Sequence, residues 1–150
     1  MDGQPHRTDF LDMIQADNNF ESQYQQQLEK LSMYHFSPVP PPPGIDIPRK
    51  LHPLVSTHQI TGHKGLYLGS DTSTIQGLED KLDLAKQYWV ELFEKILNFT
   101  PFYSYLWQAG DIVFWNNSQV MHTGKAYKYT KYQRIALRIG VVNNGDNYNC

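Results

Sequence analysis

Apolar residues recur at helical spacing in two places along the chain and at strand spacing in several others. Between 17 and 32, Phe20, Tyr24, Leu28 and Leu31 fall on one face with glutamines between them. This spacing predicts an amphipathic helix over 18–32, with Asn18 and Glu21 placed as a capping box. A second stripe, Ala85, Trp89, Leu92, Phe93 and Ile96, predicts a helix over 79–97. Glu79, Asp80 and Asp83 lie near its positive end, and Pro101 follows its stop. Leu51 to Thr57 and Leu66 to Leu68 read as strands around the turn Thr61-Gly62-His63-Lys64-Gly65. From Phe102 the period is two. Tyr103, Tyr105 and Trp107 alternate with other residues, and Ile112 to Trp115 is a short apolar run. Ile135, Leu137 and Ile139 alternate with Arg134, Ala136 and Arg138. Such a succession of short strands predicts a β-sandwich or barrel. Prolines 38, 40, 41, 42 and 43 make 38–48 a stiff, extended connector, and the polar tail from Asn143 reads as frayed.

Composition narrows the function classes. At 150 residues the chain is one domain in size, and 40% apolar content with 13% aromatic residues excludes a disordered polypeptide. A formal charge of −2 leaves no basic excess, so neither nucleic acid nor an anionic membrane is an expected partner. No apolar run reaches the roughly 18 residues that span a bilayer, and the N-terminus lacks the apolar core of a signal peptide. The single cysteine, Cys150, cannot form an internal disulfide. These features predict a soluble, cytoplasmic protein.

The candidate chemistry lies in the last third. Arg134 and Arg138, four apart on a predicted strand, project from one face with Ala136 between them. Two cations about 13 Å apart could hold two anionic groups, since the guanidinium fork matches a carboxylate. Two ordinary surface arginines would give the same alternation. His122 lies twelve residues before Arg134. A neutral imidazole suits Fe(II), particularly in a site of two histidines and one carboxylate, but a lone histidine says little. His52, His58 and His63 match no zinc spacing. Residue chemistry alone thus leads to an anion-binding β-domain with a histidine nearby.

The ordered set Trp107-x-x-Gly110-Asp111-x-x-x-Trp115-x-Asn117, then His122, then Arg134-x-x-x-Arg138, resembles the C-terminal signature of the taurine dioxygenase (TauD/TfdA) family. His52-Pro53-Leu54-Val55, the Thr61-Gly62 turn with Leu66-Tyr67-Leu68, and Thr8-Asp9-Phe10-Leu11-Asp12-Met13 extend the resemblance over roughly residues 7–142. The resemblance implies a mainly β fold with two helices, a partial double-stranded β-helix (jelly roll) lacking its N-terminal strands. It implies Fe(II) as cofactor and 2-oxoglutarate as co-substrate. By position, His122 matches an iron ligand, while Arg134 and Thr8 match the residues that hold the distal carboxylate of 2-oxoglutarate. Arg138 matches an arginine that in several members holds an acidic group of the primary substrate. Trp107, Gly110, Asp111 and His52 match positions read as structural.

The implied activity is oxygenation of a small acidic substrate, with 2-oxoglutarate decarboxylated to succinate. The family's other two ligands form a His-x-Asp/Glu pair, and no such pair occurs here; His6-Arg7-Thr8-Asp9 has one residue too many. Asn116 stands where many members have aspartate. The expectation is therefore a C-terminal portion of the domain with little activity alone. Exposed sheet edges would favour self-association or pairing with another chain. The alternative is a non-catalytic β-domain that binds an acidic ligand or a partner protein.

Overall fold

In a computed structural model the described residues are 6–36, 43–44, 49–70, 73–128, 130–131 and 135–140. They form eight short strands and three helices. Strand β1 (Arg7–Asp12) is central in an antiparallel sheet between β7 (Tyr103–Leu106) and β8 (Val120–Gly124). A second sheet has β2 (Ser32–Phe36) between β3 (Arg49–Pro53) and β6 (Thr74–Ile75), and β4 (Val55–Thr57) pairs with β5 (Lys64–Leu66) as a hairpin.

Asp12 ends β1 and starts α1 (Met13–Asn18), its Oδ1 accepting from the Ile14 and Gln15 amides at 2.9 and 3.1 Å. That carboxylate satisfies helix donors that have no partner within the helix. The helix predicted over 18–32 is two helices, α1 and α2 (Ser22–Leu28), and Ser32 already belongs to β2. The break falls at Asn19, whose Nδ2 donates to the Phe99 carbonyl at 2.7 Å and to Thr100 Oγ1 at 3.3 Å. This long-range tie outweighs the local periodicity. Glu21 caps α2 with no side-chain hydrogen bond, so the expected capping box is absent. The chain then reverses, and Leu28 packs with Met33 in the core.

The strand expected over Leu51 to Thr57 is interrupted at Leu54, which is fully buried. Its halves enter different sheets, β3 pairing with β2 and β4 with β5. The partner strand is Lys64–Leu66, earlier than the 66–68 expected. At Gly65 a Cβ would stand 3.2 Å from Ile14 Cγ1 and 3.3 Å from the Ile14 amide nitrogen, so a side chain there would push α1 off the hairpin.

Helix α3 (Leu82–Phe99) matches the second predicted helix, shifted by two or three residues. It buries Ala85, Leu92 and Ile96, with Trp89 and Phe93 packed alongside the same core. Trp89 Nε1 donates to the Gly69 carbonyl at 2.9 Å, so this large, partly buried ring has no orphaned donor. Leu11, Met13, Leu54, Leu66, Leu92 and Ile96 close one core shared by helices, hairpin and sheet.

Three expectations change. The described residues hold three helices, not two. Ile112 to Trp115 and 135–139 carry no strand pairing, although their alternation is correct. Ile112, Phe114, Ile135, Leu137 and Ile139 are instead 78, 89, 97, 93 and 84% exposed. A strand needs a neighbour to hydrogen-bond with, and no described residue provides one. The Pro-rich connector over 38–48 (apart from 43–44) and the tail from Asn143 lie outside the described residues.

His35 on β2 meets His52 and Tyr67, with ring centroids 4.9 and 4.7 Å away. Burial lowers its pKa from 6.5 to about 4, the neighbouring His52 adds to this, and a hydrogen bond with the Tyr67 backbone opposes it. Below pH 6.5 the unfolded chain protonates this group before the folded one does. The stabilisation is thus complete above that value and is lost as pH falls toward 4, an effect of up to about 3 kcal/mol. Urea unfolding at pH 7 and 4.5 should show a smaller loss on acidification for His35→Phe than for wild type; equal losses would exclude it. Leu92→Ala should cost about 2–5 kcal/mol in the same measurement, because a fully packed site collapses poorly.

Candidate functional site

Register across the first sheet decides which side chains share a face. In β1, Thr8 and Phe10 point one way, while Arg7, Asp9 and Leu11 point the other. His122 lies opposite Phe10, and Gly124 opposite Thr8. On the other edge, Tyr103 lies opposite Phe10 and Tyr105 opposite Thr8. One sheet face therefore carries His122, Phe10, Thr8, Tyr103 and Tyr105 together.

Aromatic rings frame this face. The His122 ring is stacked on Phe10 at 6.2 Å between centroids and tilted against Trp115 at 5.0 Å. Phe10 and Trp115 meet edge-on at 5.4 Å. Partial burial against these rings lowers the His122 pKa, and the positive charge of Arg138 lowers it further. Both effects favour the neutral imidazole, the form that can donate a lone pair to a metal. Thr8 is buried, and its Oγ1 accepts from Trp107 Nε1 at 2.8 Å. A shallow cavity of about 550 Å³ extends along the same face beyond Phe10, lined by Tyr103, Phe102, Asp12, Asn116 and Val120 among others.

The reverse face is structural. Asp9, only 3% exposed, accepts from Ser104 Oγ at 2.6 Å and lies 3.2 Å from Lys125 Nζ and 3.5 Å from Arg7 Nε. The Ser104 hydrogen bond is the largest cause holding its carboxyl below the usual range; burial opposes it, and the Lys125 and Arg7 cations assist it. Asp9 is thus committed on the opposite face from His122, which excludes it as a partner ligand at that site.

The predicted residues separate accordingly. Thr8 and His122 come together on one face, and Arg138 is exposed within electrostatic range of His122. Arg134 lies outside the described residues. His52 stands with His35 and Tyr67, whereas His58 and His63 belong to the β4–β5 turn. Among the described residues no three His, Cys, Asp or Glu side chains gather to hold a metal. A site of two histidines and a carboxylate does not fit the donors present, since His122 supplies one imidazole. Sequence reasoning missed β1, β8 and the Phe10–Trp115–His122 cluster. Strand β1 is buried on both faces and so lacks alternation, while β8 mixes Met121, His122 and Thr123 with no periodic signal.

The chain resembles known proteins over most of its length. The chain is 28% identical over 141 residues to the alpha-ketoglutarate-dependent 2,4-dichlorophenoxyacetate dioxygenase of Burkholderia sp. (strain RASC), covering 85% of this chain and 46% of that protein. It is 37% identical over 78 residues to the enzyme of the same name from Cupriavidus pinatubonensis, 50% of this chain and 25% of that one. The crystal structure of AAD-2 in complex with Mn(II) and N-oxalylglycine superposes with a TM-score of 0.70 at 23% identity, over 85% of this chain and 53% of that one. The chain thus spans about half the length of the relatives it matches, or less. Residues 5–139 match the family described as taurine catabolism dioxygenase TauD, TfdA family, and this chain belongs to that family.

Proposed function

We propose that the chain supplies the co-substrate side of an Fe(II)/2-oxoglutarate-dependent oxygenase site that acts on a small anionic substrate. The observation that carries this reading is the convergence of His122 and Thr8 on one face of the β7–β1–β8 sheet, in a chain of this family. In this reading the Thr8 hydroxyl donates to the distal carboxylate of 2-oxoglutarate, and Arg134 pairs with the same group through its two-pronged guanidinium. His122 contributes one ligand for iron. Arg138 faces an acidic group of the primary substrate. The flanking rings of Phe10 and Trp115 hold the imidazole in place and keep water from one side of it, which strengthens the nearby electrostatic interactions. The two remaining iron donors come from outside the described residues.

A chimera tests this. Joined to the part of the Burkholderia sp. relative that this chain does not span, it should form succinate in a 2-oxoglutarate-dependent manner, and His122→Ala should abolish the activity. Failure of the chimera to form succinate, although folded, would sink the proposal. The 150 residues alone should show no iron-dependent turnover.

A second reading rests on the exposed side chains of Ile135, Leu137 and Ile139. Apolar residues at every second position of a segment without strand pairing favour burial against another polypeptide. Light scattering should detect concentration-dependent association of the isolated chain, reduced by Ile135→Lys with Leu137→Lys. A monomer at every concentration would count against it.

A further inference from the structure

The turn after β7 is built around one carboxylate, that of Asp111. Gly110 has φ +92°, a backbone conformation that side-chain-bearing residues rarely adopt, and it closes the turn that brings Asp111 back toward Tyr105. The Asp111 Oδ2 accepts from the Tyr105 hydroxyl at 2.8 Å and from the Gln108 amide at 2.7 Å. Tyr105, fixed in this way, meets the Trp107 ring edge-on at 5.3 Å. The Trp107 backbone amide donates to the His6 carbonyl at 3.2 Å, which extends the β1–β7 ladder by one step. With ring and backbone both held, the indole Nε1 reaches Thr8 Oγ1 at 2.8 Å.

The consequence concerns a proton. A threonine hydroxyl has one hydrogen to donate and two lone pairs to accept with. An indole N–H donates only, so Trp107 occupies a lone pair of Thr8 and leaves its hydrogen to point elsewhere. The Thr8 hydroxyl makes no other side-chain hydrogen bond among the described residues. Its side chain is on the His122 face, so the hydrogen is available to an anion bound on that face.

We propose that Trp107 is a positioning residue, set by the Tyr105–Asp111 clamp, that orients the Thr8 hydroxyl as a hydrogen-bond donor to a carboxylate bound on the His122 face. The motif Trp107-x-x-Gly110-Asp111 then has a single physical purpose, to set one donor in advance. Preorientation matters because a free hydroxyl rotor must be ordered on binding, and a charge-assisted donor is stronger when it is already aimed. The inference rests on Thr8 being a carboxylate donor, as proposed above.

Calorimetric titration of the chain with 2-oxoglutarate tests it through a double-mutant cycle. Thr8→Val should weaken binding roughly ten- to a hundredfold, the magnitude of one hydrogen bond to a charged group, and Thr8→Ser should restore it. Trp107→Phe, which keeps the ring and removes the N–H, should weaken binding roughly three- to tenfold when Thr8 is present and have no effect in Thr8→Val. Circular dichroism and the urea midpoint establish that each variant is folded. If wild type does not bind, or Thr8→Val binds as well as wild type, the reading of Thr8 fails and the inference falls with it. If Thr8→Val weakens binding while Trp107→Phe does not, or the two effects simply multiply, Thr8 keeps its role and Trp107 is only structural.

Discussion

The pairing of β1 with both β7 and β8 is the constraint on which everything else depends. It joins a segment near the start of the chain to two segments from its last third, and the buried Asp9 carboxylate ties all three together. Ser104 reaches it from β7, Lys125 from just beyond β8 and Arg7 from β1 itself. A carboxylate this buried is tolerated only while its partners remain, since removing one leaves a desolvated charge uncompensated. The same interaction sets the register. A slip of one residue would turn Asp9 onto the His122 face and Thr8 onto the reverse face.

From that register the division of the sheet follows. One face delivers Leu11 to the core formed with α1, α3 and the hairpin. The other carries His122, Thr8 and their aromatic frame. Because strand side chains alternate, surroundings change residue by residue: Thr8 on the His122 face, Asp9 among its ion partners, Phe10 against the His122 ring, Leu11 in the core. The aromatic positions serve both ends. Phe10 and Trp115 restrain the His122 ring, and Trp107 reaches across the ladder to Thr8.

The exposed apolar residues complete the physical picture. Ile112, Phe114, Ile135, Leu137 and Ile139 have side chains suited to a sheet interior yet face solvent. A solved structure of which this chain covers 53% shares the fold of the described part, with a TM-score of 0.70.

Local pattern determined the elements whose signal is local. The stripe from Ala85 to Ile96 specified α3, and the two-residue period at Tyr103 and Tyr105 specified β7. The spaced set from Trp107 to Arg138 was enough to identify the family, because turn, aromatic and histidine positions at fixed intervals are far more specific than any one of them. Other features depended on tertiary contacts. The break between α1 and α2 arises from Asn19 bonding to the end of α3, and the division at Leu54 arises from two different pairing partners. Strand β1 had no readable period because both of its faces are covered. The joining of Thr8 to His122, the commitment of Asp9 to the reverse face and the hydrogen bond from Trp107 to Thr8 were decided by register alone. Periodicity shows that side chains alternate, but only the neighbouring strand determines which of them meet.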